Sequence, residues 1–180
     1  MEFYVLDKTF ASVMVIDTYI SAIWTKRYFS CGDFKIQMPA SLELIQNIQT
    51  GYYIRRTDDD TIMVVEKIEI VTDADSGNTV ILSGRSAESI LDRRVNYART
   101  QFVNCAIPDI IRSMLESEFG ENQEHPERQS KQIGTLIDNS KCISRTDYCG
   151  FTLSLYDAVF ALCETYGIGS VSYTHLTLPT

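Results

Sequence analysis

Five cysteines and two histidines are the residues of this chain that could bind a soft metal ion or supply a nucleophile. A zinc site could be assembled from four of them: Cys142, Cys149, Cys163 and His125. The Cys-x-x-Cys spacing that is usual for such sites is absent. A cysteine nucleophile needs a histidine beside it, which His125 could provide for Cys105 or Cys142. The cysteines, which also include Cys31, are odd in number and irregularly spaced, so the sequence favours reduced thiols over a disulfide scaffold.

Acidic side chains could carry out acid–base chemistry. Glycoside hydrolysis needs two carboxylates about 5–9 Å apart. Such a pair could be drawn from Asp58, Asp59, Asp60, Glu66 and Glu69. Carboxylates are too common for their presence to identify that reaction, and the acidic run 58–60 is typical of a solvated turn.

The residues Asp73–Asn78 resemble the start of a calcium-binding loop. An EF-hand requires Gly at its sixth position and Glu at its twelfth, and counted from Asp73 these positions hold Asn78 and Gly84. Strand-like sequence also flanks the segment on both sides. The sequence therefore predicts a hairpin turn here instead of a calcium site.

Three arginines, Arg85, Arg93 and Arg94, could bind an anion, although such residues more often pair with acids or lie at helix ends. The sequence has no Gly-rich phosphate loop, no Gly-x-Ser-x-Gly elbow and no His-Glu-x-x-His motif. We therefore expect a protein that is not an enzyme and has no catalytic, cofactor-binding or metal-binding residue.

The first half of the chain has the pattern of β-strands. Alternating apolar and polar residues are clearest at Phe34–Met38. Further strands are predicted at Tyr4–Leu6, Val13–Ile16, Tyr19–Tyr28, Tyr52–Arg56, Ile62–Val71 and Thr79–Ser83. Ser41 is expected to cap a short helix that Gly51 closes and that has Leu42, Ile45 and Ile48 on one side.

The second half has mostly helical periodicity. Helices are predicted after Ser86, with Ala87, Ile90 and Leu91 inward, and from Pro108, with an apolar stripe that reaches Phe119. Ser154 and Gly167 bracket the clearest helix, Leu155–Tyr166. Its apolar stripe has helical spacing and consists of Leu155, Ala158, Val159, Leu162, Cys163 and Tyr166. The segment Ile133–Ile137 is expected to be a strand, and the polar residues 121–132 a loop.

These patterns predict an α+β fold with two parts. Residues 1–85 would form a β-rich, barrel-like domain with one short helix, and residues 86–170 an α/β segment with amphipathic helices. The length of 180 residues and the hydrophobic content of 44% suffice for a substantial core.

The last ten residues, VSYTHLTLPT, resemble the translation of a transposase sequencing adapter. We therefore expect residues 171–180 to be a non-native tail, and the natural protein to be truncated here and to continue past Ser170. On this interpretation His175 has no function.

The net charge of −8 argues against specific nucleic-acid binding, because a duplex-binding surface needs clustered Lys and Arg. No apolar run approaches the roughly 18 residues of a membrane span, so membrane insertion is not expected. The N-terminus lacks the basic and apolar regions of a cleaved signal.

Six segments carry a resemblance to a known family: 19–28, 31–34, 51–54, 68–70, 83–94 and 154–168. The most specific is the block that ends Leu91-Asp92-Arg93-Arg94, and together they cover nearly all of residues 3–170. They resemble a family of siphophage minor structural proteins, the Gp-thirty-seven-like tail-hub proteins. The resemblance implies a virion structural protein of the tail tip or baseplate hub, β-barrel-containing, trimeric, assembled in the host cytoplasm, and bound to other tail or baseplate proteins.

Two other functions stay open at this point. The chain could be the hub portion of a tail-associated cell-wall hydrolase whose catalytic domain is missing, or a carbohydrate- or receptor-binding tail module with an exposed aromatic platform. Trp24 and the tyrosines could anchor an interface, although core packing is the commoner role of a tryptophan. The acidic side chains could line a channel that repels DNA.

Overall fold

The computed structural model describes residues 1–73, 77–95, 100–119, 133–137, 144–150, 154–168 and 170–174. The chain divides into two compact units. Residues 1–27 and 31–87 form the first unit, and residues 28–30 and 88–180 form the second. Strands and helices are both present, which confirms the α+β fold class.

The first unit is a seven-stranded antiparallel sheet with one short helix. Its elements are β1 (Phe3–Leu6), β2 (Ser12–Ile16), β3 (Ser21–Thr25), β4 (Asp33–Pro39), α1 (Leu42–Asn47), β5 (Tyr53–Arg56), β6 (Ile62–Asp73) and β7 (Gly77–Ser86). The strand order is β2-β1-β5-β6-β7-β4-β3. The period-two pattern of β4 places Phe34, Ile36 and Met38 in the core, as expected for a half-buried strand.

The two end strands of this order are close in sequence, which forces the sheet to roll. In a flat sheet β2 and β3 would lie about 29 Å apart, because neighbouring strands are about 4.8 Å apart. The chain from Ile16 to Ser21 spans at most about 18 Å when fully extended. Since all neighbouring strands are antiparallel, β2 and β3 run in the same direction.

The roll is not closed by hydrogen bonds among the described residues, where no pairing joins β2 to β3. The expected barrel is therefore not confirmed. The sheet has a rolled shape with two edge strands, and its interior is filled by the apolar faces of the strands and by α1.

Helix α1 begins where it was predicted but presents a different face to the core. Ser41 caps it, with its hydroxyl oxygen accepting a hydrogen bond of 3.1 Å from the Leu44 backbone N–H. Leu44 and the capping Ile48, four residues apart, are buried, whereas Leu42 is 72% exposed and Ile45 is also exposed. Of the three residues that the sequence placed on one side of the helix, only Ile48 is buried, because the helix has fewer than two turns and only one i, i+4 pair reaches the core.

Strands β6 and β7 form the hairpin that the sequence predicted, and Asp73 pairs with Gly77. The turn residues 74–76 lie outside the described residues. A bulge at Glu66 interrupts the register, so that Val65 pairs with Gly84 and Lys67 with Ser83.

The second unit contains two small antiparallel sheets and two helices. Its elements are a 3₁₀ helix (Ala87–Arg93, of which Ala87 belongs to the first unit), β8 (Thr100–Ala106), α2 (Ile107–Phe119), β9 (Ile133–Ile137), β10 (Arg145–Gly150), α3 (Leu155–Tyr166) and β11 (Ser170–Thr174). Strand β8 pairs with β10, and β9 with β11. The sequence predicted neither β8 nor β10.

Helix α3 has the bounds and the buried face that its sequence predicted. The Ser154 hydroxyl oxygen accepts a 3.0 Å hydrogen bond from the Asp157 backbone N–H, and Gly167 ends the helix in the left-handed conformation with φ of 67°. Its apolar stripe packs with α2 in the core of this unit.

Strand β11 crosses the point at which the adapter-like string begins, after Ser170. The non-native origin of residues 171–180 stays a prediction, as does the division into domains at residues 85 and 170. Within the described part of the chain, no helix has the length and apolar character that crossing a membrane requires.

Candidate functional site

Asp59 is the centre of the most connected polar cluster that the structure describes in the first unit. Its Oδ1 lies 2.6 Å from Lys26 Nζ and accepts a 2.9 Å hydrogen bond from the Thr61 backbone N–H. Its Oδ2 accepts a 3.2 Å hydrogen bond from Trp24 Nε1. The guanidinium of Arg56 lies 5.8 Å from the Trp24 ring centroid. The cluster joins the edge strand β3 to the turn between β5 and β6.

The Asp59 carboxylate is held in its charged form. Burial acts to raise its pKa, but the hydrogen bonds from Lys26 and Thr61 outweigh burial, so the pKa lies below its ordinary value. A carboxylate so fully occupied by donors is suited to holding strands together. It is poorly suited to proton transfer near neutral pH, where a catalytic acid needs a raised pKa.

The other carboxylates considered for acid–base chemistry lie in different parts of the β5–β6–β7 region. Asp58 Oδ1 lies 2.6 Å from Arg56 Nε in the turn. Glu69 pairs with Lys67 at 2.6 Å farther along β6, and this contact is the main cause that lowers the pKa of Glu69. Each of these carboxylates has a cationic partner. Asp60 is exposed in the turn.

Glu66 and Arg85 form a two-point ion pair across the β6–β7 bulge. Arg85 Nε donates to both carboxylate oxygens at 3.1 Å, and Nη2 donates to Oε1 at 2.9 Å. The bulge lies at Glu66, next to Arg85 on the neighbouring strand. It requires a glycine at position 84, which lies opposite the bulge on β7. A Cβ built at Gly84 would overlap the Val64 carbonyl oxygen and lie 2.9 Å from the Glu66 nitrogen. Arg85 therefore holds a carboxylate of its own sheet.

The other two arginines considered as anion ligands, Arg93 and Arg94, belong to the second unit. Arg94 lies 5.3 Å from the Phe119 ring centroid, and its carbonyl oxygen accepts a 2.8 Å hydrogen bond from the Leu155 backbone N–H. Arg93 is exposed at the end of the 3₁₀ helix. The Arg94 side chain thus contacts an aromatic ring, and its backbone is bonded to the first residue of α3.

The cysteines that the structure describes have different environments. Cys163 is fully buried in α3, and burial raises the pKa of its thiol to about 11. Cys149 is exposed on β10, and Cys105 is partly exposed on β8. Within the described ranges, no group of three or more His, Cys, Asp and Glu side chains could hold a metal ion. Cys142, His125 and His175 lie outside the described residues, so the zinc and cysteine–histidine hypotheses are not tested.

The second unit contains a shallow groove that the sequence did not indicate. It is lined by Phe29, Ser30, Glu88, Leu91, Tyr156, Val159, Phe160 and Cys163. The rings of Tyr156 and Phe160 are stacked, with centroids 5.9 Å apart and an interplanar angle of 10°. Their spacing of four residues on α3 was a detectable signal. The contribution of Phe29 could not be detected in this way, because Phe29 is far from α3 in the sequence.

A known protein shares this fold over most of the chain. The crystal structure of prophage tail protein gp18 from Listeria monocytogenes EGD-e matches with a TM-score of 0.60 and 7% sequence identity. The match covers 94% of this chain and 47% of that chain, so this chain spans about half the length of its structural neighbour. No curated protein matches the sequence.

The family model of the Siphovirus ReqiPepy6 Gp37-like protein matches residues 2–176. The chain belongs to this family, which confirms the resemblance inferred from its sequence segments.

Proposed function

We propose that this chain is a structural protein of a phage or prophage tail, located at the tail tip or baseplate hub, where it joins the tail tube to the host-contacting tip. The observation that carries the proposal is the shared fold with a prophage tail protein over 94% of the chain, together with membership of a siphovirus family. Its partners would be other copies of itself, expected as a trimer, and other tail or baseplate proteins. It would have no enzymatic activity, and it would assemble in the host cytoplasm.

The arrangement of polar groups supports an assembly role. The described carboxylates with the strongest contacts, Asp59 and Glu66, are occupied by cations of their own sheet. Exposed apolar side chains instead lie on strands β2, β3 and β6. Exposed strands of this kind are suited to protein–protein contact.

A genetic experiment tests this role. An early stop codon introduced into the gene in a phage that encodes it is expected to yield filled heads without functional tails, and the chain supplied from a plasmid is expected to restore them. Normal tails in the absence of the chain would overturn the proposal. A stop codon in a head gene is the control.

The aromatic groove favours one alternative, a carbohydrate-binding tail module. Stacked aromatic rings such as Tyr156 and Phe160 can support a sugar ring. Titration with cell-wall glycans, followed by calorimetry, would support this alternative if the wild type bound and Tyr156→Ala abolished binding. The hydrolase alternative requires a catalytic domain outside this chain and stays a hypothesis.

A further inference from the structure

The aromatic groove is built by two helices of the second unit, each of which contributes one face. Helix α3 contributes residues at helical spacing, which are Tyr156, Val159, Phe160 and Cys163. The 3₁₀ helix contributes Glu88 and Leu91, which are three residues apart and therefore lie on the same side of such a helix. Phe29 and Ser30, which belong to the same unit, complete the lining.

The aromatic rings of this groove are partly open to solvent. Tyr156 and Phe160 are parallel, with centroids 5.9 Å apart. Rings stacked directly over each other would be about 3.5–4 Å apart, so these two are offset sideways and do not fully cover each other. Both side chains are only partly buried, and Phe29 is 39% exposed. Three aromatic side chains are therefore available to contact a bound group.

The charges at the groove favour a cation. Glu88 supplies a carboxylate, and none of the eight lining side chains is basic. The faces of aromatic rings carry negative electrostatic potential, so they also attract a cation that lies within about 6 Å. Glu88 is only 8% exposed, and salt screens its charge less than that of a surface acid. The carboxylate and the aromatic rings thus select the same sign of charge in a ligand.

We propose that the aromatic groove binds a quaternary ammonium group of the kind that choline carries. A primary ammonium has three N–H donors to satisfy and a guanidinium has five, whereas a trimethylammonium group has none. The only lining side chains that contain oxygen are Glu88, Ser30 and Tyr156, and the others are hydrocarbon or thiol. The methyl groups of the cation contact such a surface without leaving a donor unsatisfied. A sugar ring has several hydroxyl groups and would find few partners there.

Ligands that differ in charge test the proposal with the full chain. Choline is titrated and followed by saturation-transfer NMR of its methyl protons, and we expect binding in the millimolar range because the groove is shallow and partly solvated. The neutral isostere dimethylbutanol, in which carbon replaces the nitrogen, should bind about tenfold more weakly. Equal binding of the two compounds, or no binding of choline, would overturn the proposal. Binding of N-acetylglucosamine but not of choline would overturn it in favour of the carbohydrate alternative.

Phosphocholine distinguishes the two sources of such a group. If it binds as well as choline does, the groove recognises the ammonium group when a larger molecule carries it. If only choline binds, the ligand is the free cation. Either result supports a site for quaternary ammonium.

Matched variants test the location of the site. Phe160→Leu removes the ring but keeps an apolar side chain, and we expect it to weaken choline binding about threefold to tenfold. Glu88→Gln removes the charge and should have a similar effect. The controls are Tyr166→Ala and Glu164→Gln, which change residues of α3 outside the groove and should leave the affinity unchanged.

Unchanged choline binding by Phe160→Leu and Glu88→Gln proteins that are folded by circular dichroism would overturn the assignment of the site. None of these results bears on the tail function, which the stop-codon experiment tests separately.

Discussion

The rings of Phe3 and Trp24 lie in contact, with centroids 5.8 Å apart, although their strands are far apart in the sheet order. Phe3 is on β1, the second strand, and Trp24 is on β3, the last. In a flat sheet these strands would be about 24 Å apart. Tyr19 and Phe34 flank the pair, with ring distances of 5.5 and 5.9 Å. The aromatic contact therefore joins the two sides of the rolled sheet where backbone pairing does not.

Replacement of Phe3 should strongly destabilise the first unit. Phe3 is fully buried, and Phe3→Ala is expected to lower its free energy of unfolding by about 3–5 kcal/mol because the core loses a ring and gains a cavity. Trp24 is the only tryptophan, so its fluorescence reports unfolding of this unit in urea. Val15→Ala, at an exposed site on β2, should change the free energy little. Equal effects of the two substitutions would contradict the packing described.

Replacement of Asp59 should loosen the attachment of β3. Asp59→Asn keeps the shape of the side chain but removes the charge that Lys26 and Arg56 face. We expect a loss of about 1–3 kcal/mol, as for other disrupted buried hydrogen-bond partners. Trp24 emission should also change, since its indole N–H bonds to this carboxylate. Asp60→Asn, in the same turn but exposed, is the control.

The same carboxylate predicts a dependence of stability on acid pH. Because the pKa of Asp59 is lower in the folded state, its contribution is fully present above its unfolded pKa of about 3.8–3.9. This contribution to the free energy of unfolding is lost as the pH falls through the lower pKa that Asp59 has in the folded state. Urea unfolding at pH 7, 4 and 3 should show that the difference in free energy of unfolding between the wild type and Asp59→Asn becomes smaller as the pH falls. A difference that grows would contradict the assignment.

The bulge at Glu66 should make Gly84 intolerant of any side chain. The methyl group of Gly84→Ala would overlap the Val64 carbonyl oxygen, and we expect a cost of at least about 2 kcal/mol, because backbone must move to make room. Ser83→Ala, at the adjacent position, should be much milder. Loss of the Glu66–Arg85 pair, visible as a changed salt dependence of stability, should accompany Gly84→Ala. A Gly84→Ala protein with the free energy of unfolding of the wild type would contradict the bulged pairing of β6 with β7.

The thiols of the second unit should differ in reactivity. Cys163 is fully buried and its pKa is raised to about 11, so little thiolate forms at pH 8. Cys149 is exposed. Brief treatment with iodoacetamide followed by peptide mass spectrometry should find Cys149 modified and Cys163 unmodified. In urea both should react, and early modification of Cys163 in the native protein would contradict the burial of α3.

The sequence predicted best those elements whose local signals agreed with their tertiary roles. Helix α3 had a cap, a stop glycine and a regular stripe, and its bounds were confirmed. The pattern of β4 was equally clear. In both cases the residues that end the element and the residues that face the core lie within one short window of sequence.

The predictions failed where distant parts of the chain decide the structure. Strand β8 has exposed apolar residues such as Val103, and the half-buried positions of β10 hold Thr146 and Tyr148, so neither sequence alternates apolar with polar residues. The two strands are also about forty residues apart in the chain. The Trp24–Asp59 contact joins residues separated by 35 positions. Nor could local patterns show that the sheet rolls without a hydrogen-bonded seam, because this depends on the strand order.

We propose that this chain is a component of the phage tail. Quantitative mass spectrometry of tails and capsids, separated from purified virions of a phage that encodes it, tests this claim most directly. We expect peptides of the chain in the tail fraction, at a constant ratio to the major tube protein, and none in the capsid fraction. Absence of the chain from the virions, or its presence in capsids alone, would contradict the proposed function.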